Sequence, residues 1–396
     1  MMSQQFLGNS KRCIALDFSC LDHLSLGNGQ YRYVVNLVKG LSSITPDNIE
    51  LLLFGSKPDP VFELKDLFDK GRNTKWTYCQ IPPWHFRGAY YLNHLRYPAI
   101  ISFRKIHLWH ALHTFVPCVT FCPKVVTIQD VMYEQFEEYQ RIVQSRIYKI
   151  EKWILKNRVD HFIASSQSTK EDLNDRWGVP SEKISVAYHG TNFKDVNADT
   201  NSDIARMFYR LTKPVLFSPY NLELRKNLPM LLKALPVLLQ KYPDLNLVLY
   251  GKAAWTVERE EEFKKLIQNL RLEDHIIFTG YISDVDLAFL YEQSDAFIFP
   301  SLYEGFGFPV LEAMSKGACV IAFNTSSIKE VVGNGGVLVD PVSTEGLARA
   351  IFNLLNVSSL KIRMRQLARE RANLFSIQTQ ALRTWQIYQS VLSSVR

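Results

Sequence analysis

Long apolar runs are missing from this chain. No uninterrupted apolar stretch approaches the roughly 18 to 20 residues that a membrane-spanning helix needs. Residues 1–12 are polar and lack the apolar centre of a signal peptide. We therefore expect a cytoplasmic protein that is neither exported nor membrane-spanning.

Cysteines are few for the length of the chain. Six are spread thinly over 396 residues, which favours reduced thiols over a disulfide framework. Cys118 and Cys122 have no second pair with which to complete a zinc site.

Runs of one charge are also missing. The 46 basic and 39 acidic residues give a formal net charge of +7. Such a mild excess is compatible with an anionic nucleotide ligand, an anionic membrane surface or nucleic acid. Because the basic residues are scattered and neither a zinc module nor an aromatic RNA-binding motif occurs, we expect no nucleic-acid partner.

What the chain does have is a regular alternation of apolar strand-like runs and helix-like segments. Its length and 47% hydrophobic content suffice for two cores. Continuously apolar strands between helices are typical of parallel sheets covered on both faces. We predict an α/β fold of two Rossmann-like, doubly wound domains. The predicted strands are residues 13–17, 51–54, 106–109, 125–128, 161–164, 184–188, 215–218, 247–250, 276–279, 296–299, 319–322 and 337–339. The helices predicted in the first half are residues 30–41, 142–158 and 168–177.

The second of these helices is amphipathic in pattern. Over residues 142–158 the spacing places Ile147, Ile150 and Ile154 on one face. We expect a helix with one apolar side.

Two carboxylates, Glu304 and Glu312, flank a Gly-rich turn that follows an apolar strand and opens a helix. Gly305 and Gly307 let the backbone approach a ligand closely. The N–H groups of a first helical turn suit phosphate oxygens, and carboxylates accept hydrogen bonds from hydroxyls. The pattern predicts a site for a sugar attached to a diphosphate. In the structural alternative, Glu312 only complements the helix dipole and the glycines only form a turn.

Residues 281–341 resemble the retaining glycosyltransferases of family 4, a GT-B group whose motif has two glutamates at this spacing. The resemblance covers nearly the whole chain. It implies that Glu304 meets hydroxyls of the transferred sugar and that Glu312 meets the nucleotide ribose. Backbone N–H groups around Phe306, Gly307 and Phe308 would face the sugar and the diphosphate.

The resemblance also implies a domain organisation. A polar stretch within residues 192–213 marks the boundary, and GT-B members return their last helix to the first domain. We expect an acceptor-side domain over residues 1–205, a nucleotide-sugar domain over residues 206–376, and a returning helix over residues 377–396. Ligands would bind between the halves, at the carboxyl ends of the strands.

Arg225 and Lys226 follow the first strand of the second domain. Fixed cations at that point stabilise the negative charge that builds as a nucleoside diphosphate leaves. The alternative is a solvated pair ahead of a helix that Asn227 caps, with Pro229 in its first turn. The family's Arg-Lys-Asn-Leu pattern favours catalysis, although Tyr220 replaces a glycine common in the family, which counts against close approach by that loop.

The first domain supplies Gly27 and Gly29. They resemble the family's Gly-x-Gly-Arg-Tyr loop, with Gln30 in place of the arginine. The resemblance implies that their backbone approaches the donor phosphate or the acceptor. By themselves they are typical of an ordinary loop.

Gln129 and Asp130 end another strand of the first domain and are expected on the acceptor side. Most relatives have histidine where this chain has Gln129. Glutamine hydrogen-bonds a sugar hydroxyl but cannot act as a general base, which counts against histidine-assisted catalysis. Asp130 either orients an acceptor hydroxyl or caps the following turn. His110, also at a strand end, is expected to be structural.

We predict no metal ion. Asp284 and Asp286 match the Asp-x-Asp metal motif of the other glycosyltransferase fold, but Ser283 predicts a helix cap there. Ser327 and Glu330 likewise predict a capping box.

The function predicted from these motifs and the resemblance is retaining, metal-independent hexosyl transfer in polysaccharide biosynthesis. The donor would be GDP-mannose, with UDP-glucose the next choice, and the acceptor a hydroxyl of a glycan or lipid-linked glycan. The alternatives are a GT-B sugar-nucleotide epimerase and a non-catalytic sugar-nucleotide-binding partner protein. Aromatic and basic residues within 81–105 either rest on the inner face of the membrane or pack on the first domain.

Overall fold

The computed structural model describes residues 11–18, 29–55, 64, 73–78, 106–114, 116–117, 121–252 and 256–394. These residues divide into two compact units. One comprises the chain up to Gly190 together with the C-terminal helix, and the other comprises Thr191–Ser376. The aromatic and basic stretch of residues 81–105 lies outside the described residues, as do Cys20, Cys79 and Cys118.

The first unit is built on a seven-stranded sheet in which every pair of neighbours is parallel. Its order is β3-β2-β1-β4-β5-β6-β7. The strands are β1 (Arg12–Asp17), β2 (Ile49–Gly55), β3 (Thr74–Tyr78), β4 (Ile106–Ala111), β5 (Lys124–Ile128), β6 (His161–Ala164) and β7 (Ile184–Val186). The helices are Gly29–Ile44, Gln140–Gln144, Arg146–Arg158, Gln167–Trp177 and Ile377–Ser394.

The second unit has a six-stranded parallel sheet of order β10-β9-β8-β11-β12-β13. Its strands are β8 (Val215–Pro219), β9 (Asn246–Tyr250), β10 (Ile276–Gly280), β11 (Ala296–Phe299), β12 (Val320–Phe323) and β13 (Val337–Val339). The helices are Asp203–Phe208, Leu228–Leu239, Val257–Asn269, Asp284–Gln293, Phe308–Ser315, Ile328–Val332, Thr344–Asn356 and Ser358–Ala372.

The predicted α/β class and the two doubly wound parallel sheets are confirmed. Every predicted strand is present. The sequence prediction missed β3, whose residues mix polar and aromatic types and which pairs only with β2 at the sheet edge. An edge strand does not need the continuously apolar character of a central one.

The chain enters the second unit at Thr191, before the boundary expected after residue 205. The residues in between are tied to this unit, since the Asp199 N–H donates to the Val285 carbonyl oxygen at 3.3 Å. Ser202 caps the helix Asp203–Phe208 by accepting from the Ala205 N–H at 3.1 Å. The ring of Phe208 packs edge-on against Phe289, with centroids 5.5 Å apart.

The predicted helix over residues 142–158 is two helices. Ser145 is extended and its hydroxyl accepts from the Tyr148 N–H at 3.2 Å, so a new helix begins at Arg146. The predicted apolar face is only partly buried. Ile154 is 6% exposed, whereas Ile147 and Ile150 are 53% and 37% exposed.

His110 is structural, as predicted. It is buried in β4, where Nε2 lies 2.8 Å from Thr127 Oγ1 and Nδ1 contacts the hydroxyl of Tyr388. Burial lowers the pKa of His110 to about 3, so the ring is neutral. Tyr388 thereby ties the C-terminal helix to the sheet.

In the described parts of the chain, no helix is both long and apolar enough to cross a membrane. The cysteines described there, Cys13, Cys122 and Cys319, are buried.

The C-terminal helix packs against the helix Gly29–Ile44, and Gly40 lies at the contact. A methyl group added at Gly40 would lie 2.7 Å from Ala381 Cβ and 2.9 Å from the carbonyl oxygen of Ile377. Only glycine fits without a shift of one helix.

We expect Gly40→Ala to destabilise the protein by about 1 to 3 kcal/mol, the usual cost of overpacking, although alanine is the better helix former. Denaturant unfolding measures this. Lys39→Ala, at the less buried neighbouring position, is the control and is expected to be near neutral. Equal stability of Gly40→Ala and wild type would contradict the close packing.

Candidate active site

The centre of the second sheet brings two loops together. β8 and β11 are neighbours, and the chain leaves β8 to build one half of the sheet and returns at β11 to build the other. Loops that follow such a pair diverge and leave a crevice at the carboxyl ends of the strands. The loop after β8 carries Arg225 and Lys226, and the loop after β11 carries Glu304.

The three side chains form one ion cluster around a buried carboxylate. Arg225 Nη1 donates to Glu304 Oε2 at 2.9 Å, and Lys226 Nζ donates to Oε1 at 2.6 Å. Ser301 Oγ donates to the same Oε1 at 2.7 Å. Glu304 is 9% exposed. The structure therefore brings together all three residues predicted to be catalytic.

The carboxylate is held in its charged form. Burial alone would raise the pKa of Glu304, but the charges of Lys226 and Arg225, with hydrogen bonds from Lys226 and Ser301, lower that pKa to about 2. Glu304 is thus ionised at any pH where the protein works and accepts hydrogen bonds only.

The backbone of the two loops is joined as well. The Leu302 N–H donates to the Arg225 carbonyl at 2.6 Å, and Ser301 Oγ lies 3.1 Å from the same oxygen. These bonds fix the two loops relative to each other before any ligand binds.

Two serines hold the backbone of Glu304. Its N–H donates to Ser326 Oγ at 2.9 Å, and Ser327 Oγ donates to its carbonyl at 2.8 Å. The predicted capping box at Ser327 is therefore wrong. The Ser327 side chain makes no cap bond to the helix Ile328–Val332, because its hydroxyl serves Glu304 instead.

Arg225 has a second acidic partner. Its Nε donates to Glu223 Oε2 at 2.6 Å, and Asn221 accepts from the Glu223 N–H at 2.9 Å. The plane of the guanidinium is thus fixed on two edges. The sequence prediction missed Glu223, although it stands two residues before Arg225.

The residue after the cations does not cap as predicted. Asn227 begins the helix Leu228–Leu239 with a left-handed backbone, φ 51°, and its side chain makes no cap bond. Pro229 lies in the first turn, as predicted.

Gly307 turns the chain into the helix Phe308–Ser315. Its φ of 99° is unfavourable for other residues, and a Cβ there would lie 2.5 Å from Ile328 Cδ1. Within the described chain its N–H donates no hydrogen bond, and it lies at the positive end of the helix. Phe306 and Phe308 flank this position and are buried, with ring centroids 5.5 Å apart.

Glu312 lies in the first turns of this helix and is 3% exposed. A buried carboxylate is costly unless it has partners. The binding role that the resemblance implies for Glu312 stays a prediction.

A cavity of about 360 Å³ opens at the carboxyl ends of β8, β9 and β10. Tyr220 and Phe278 line it and meet edge to face, with ring centroids 4.9 Å apart. Lys252 lies on its wall. Tyr220, which replaces the family's glycine, therefore contributes an aromatic wall.

The first unit places its predicted residues at several strand ends. Gly27 lies outside the described residues, and Gly29 begins the helix that contains Gln30. Asp130 Oδ1 accepts from the Met132 N–H at 3.0 Å, which is the turn-capping role left open above. The acceptor-side role of Asp130 stays a prediction.

Gln129 has a partner that sequence reasoning missed. Its Oε1 contacts His189 Nε2, which follows β7. His189 is buried, its ring lies 4.4 Å from that of Tyr33, and burial lowers its pKa to about 3. Neutral His189 therefore donates from Nε2 and orients the Gln129 amide. The acceptor-side role of Gln129 stays a prediction.

Asp286 serves the helix Asp284–Gln293. Ser283 accepts from the Asp286 N–H at 3.2 Å, so the predicted cap is confirmed. Among the residues that the structure describes, no three His, Cys, Asp or Glu side chains gather as metal ligands.

Two family models match the chain, one to each half. Residues 27–194 match Glycosyltransferase Family 4, and residues 201–371 match Glycosyl transferases group 1. The chain belongs to the family 4 glycosyltransferases. The resemblance identified from the sequence is thereby confirmed.

Among curated relatives of this family 4 chain, O-antigen chain mannosyltransferase B of Escherichia coli is 37% identical over 142 residues. The match covers 35% of this chain and 36% of that protein, so the chain spans about a third of that relative's length.

Solved structures establish the GT-B fold. Sucrose-phosphate synthase from Thermosynechococcus elongatus has a TM-score of 0.76 at 23% identity and covers 97% of this chain and 100% of its own. Anabaena HepE, solved with UDP and glucose, has a TM-score of 0.72 at 20% identity, covering 96% and 100%. At these sequence identities, the similarity to both structures establishes the fold alone.

We expect Glu304→Gln to lower the free energy of unfolding at pH 7 by about 3 kcal/mol, since the pKa of Glu304 falls from 4.5 to about 2 on folding. A group whose pKa is lowered by folding stabilises the folded state at pH values above its pKa in the unfolded chain. The difference between the proteins should therefore be constant above pH 4.5 and shrink as the pH falls toward 2. Denaturant unfolding across pH checks this.

Exposed Glu262→Gln is the control, expected to leave stability unchanged. A Glu304→Gln effect that stays constant down to low pH would refute ionic stabilisation by this carboxylate.

Proposed function

We propose that this chain transfers a hexosyl group, first of all mannose, from a nucleotide diphosphate sugar to a hydroxyl of a glycan or lipid-linked glycan. The anomeric configuration would be retained and no metal ion would be needed. One observation carries the proposal. Arg225, Lys226 and Glu304 meet at the carboxyl ends of adjacent central strands, beside the helix end at Gly307.

The cations suit the leaving group. As the bond to the sugar breaks, negative charge builds on the diphosphate oxygens, and fixed cations stabilise that charge without rearrangement. Lys226 gives one of its three donors to Glu304. The others remain for a phosphate oxygen, as does the Gly307 N–H, and these groups supply the charge that a metal ion provides elsewhere.

The carboxylates suit the neutral parts of the donor. Ionised Glu304 accepts from sugar hydroxyls, and Glu312 would accept from the ribose. The cavity beside Tyr220 and Phe278 offers aromatic surface to a nucleotide base, and it opens at the same edge of the sheet.

The named donor rests on the relatives. Mannosyltransferase B from Escherichia coli makes mannose the first choice, and GDP-mannose is the corresponding nucleotide sugar. Anabaena HepE, which was also solved with UDP-glucose, keeps that donor as the second choice. Purified protein incubated with each donor and a glycan acceptor would release GDP or UDP only when the right pair is present.

An epimerase would convert the sugar nucleotide without an acceptor, and a binding partner protein would hold it without turnover. Either result would refute transfer. Activity that disappears with a chelator and returns with a divalent cation would refute metal independence alone.

We expect Arg225→Ala and Lys226→Ala each to lower kcat about 100- to 1000-fold, because each removes a charge aimed at the leaving group. Lys233→Ala, an exposed cation on the following helix, should keep wild-type turnover. Initial rates of nucleoside diphosphate release measure the effect, and unfolding curves show whether each variant is folded. Folded Lys226→Ala with unchanged kcat would exclude Lys226 from the leaving-group site.

A further inference from the structure

Gln129 has a buried side-chain donor without a partner. Its amide nitrogen Nε2 is shielded from solvent, and no atom of the residues that the structure describes hydrogen-bonds to it. A buried amide donor that stays unpaired is unfavourable, and most are paired in folded proteins. Gln129 directly follows β5, at the carboxyl edge of the sheet where doubly wound folds bind ligands. The donor therefore points to a ligand oxygen as its partner.

The other polar groups of the Gln129 carbonyl and side chain are bound within the first unit. The backbone carbonyl accepts from Ser165 Oγ at 2.6 Å and from Thr169 Oγ1 at 3.3 Å. Side-chain Oε1 contacts His189 Nε2. Because an amide group is planar, the contact at Oε1 also sets the direction of the two N–H bonds at Nε2.

His189 is held in turn by its own surroundings. Its ring packs 4.4 Å from the ring of Tyr33. The next residue, Gly190, accepts from Asn36 Nδ2 at 2.9 Å, and its N–H donates to Gln380 Oε1 at 2.9 Å. The position of the imidazole is thus fixed by packing on one side and by the backbone on the other.

The protonation of His189 agrees with this arrangement. Burial lowers its pKa to about 3, so the ring is neutral and has a single N–H. An amide oxygen only accepts hydrogen bonds, so that proton lies on Nε2, against Gln129 Oε1.

We propose that His189 is a positioning residue, which turns the Gln129 amide so that Nε2 donates to a hydroxyl oxygen of a neutral acceptor glycan. The inference rests on the proposed function, in which Gln129 lies on the acceptor side. A hydroxyl oxygen offers the lone pairs that the amide donor lacks within the protein. Since glutamine does not ionise, the contact needs no change of protonation and suits an uncharged sugar.

Two other roles fit the pair less well. A pair that served packing alone would have both ends of the amide bonded within the protein, whereas Nε2 is left over. A general base must take up a proton near the working pH, and the pKa of His189 lies far below that range.

The test is calorimetric titration of the full chain with mannotriose, a short neutral glycan. His189→Phe keeps a ring beside Tyr33 but removes the donor, and Gln129→Leu removes the amide. We expect each to raise the Kd for mannotriose about tenfold, because a hydrogen bond is lost or misdirected. His189→Gln restores an amide donor at a similar reach and should recover most of the affinity.

The double variant separates positioning from an independent effect. If His189 acts through Gln129, His189→Phe combined with Gln129→Leu binds mannotriose no more weakly than Gln129→Leu alone. Additive losses would overturn the proposal.

His161→Phe is the matched control. His161 begins β6, at the opposite edge of the sheet, and its Nε2 lies 2.9 Å from Ser185 Oγ. This variant should bind mannotriose like wild type. The affinity for GDP should be the same in all variants, and thermal unfolding shows whether each is folded.

Three further results would overturn the proposal. The first is a wild-type protein that does not bind mannotriose. The second is wild-type affinity in folded His189→Phe. The third is a set of imidazole nitrogen chemical shifts that places the His189 proton on Nδ1. These readouts need no turnover, so a chain that binds mannotriose as expected but transfers no sugar would refute the proposed function and leave this inference standing.

Discussion

The carboxylate of Glu304, shared between Arg225 and Lys226, is the interaction on which the site depends. A buried carboxylate and two partly buried cations lie where two loops leave the centre of a sheet, and the carboxylate would be costly there alone. The two cations more than compensate the carboxylate, and the shared carboxylate joins the loop after β8 to the loop after β11. The site is therefore organised by the protein before any ligand arrives.

The same pairing leaves room for a second anion. Lys226 has three donors, of which Glu304 takes one. A diphosphate would therefore add to the cluster without displacing the carboxylate. The net charge of the cluster then changes from positive to negative, and the helix end at Gly307 supplies compensating positive potential.

Sequence reasoning found the members of this cluster but not their bonds. Apolar runs located β8 and β11, and the charged residues just after them were visible in the chain. Strand order was not, because periodicity carries no information on which strands become neighbours. For the same reason Glu223 and Ser327 were missed or misassigned. Each residue type has an ordinary local role that the sequence also allows. The contact between Ser327 and Glu304 becomes visible only in the folded structure. The sequence did not reveal that His189 lies beside Gln129, because three helices and the strands β6 and β7 separate them in the chain.

In the helix Arg146–Arg158, the apolar pattern of the sequence does not match the set of side chains that the fold buries. Successive residues of a helix are about 100° apart, so Trp153 and Leu155 lie on nearly opposite sides. One contact with the sheet cannot bury both sides of the helix. In this fold the buried side chains are Ile154 and Leu155. The apolar side chains of this segment therefore cover a wider arc of the helix surface than one packing face requires. A water-exposed surplus of this kind gains nothing for the folded chain by itself.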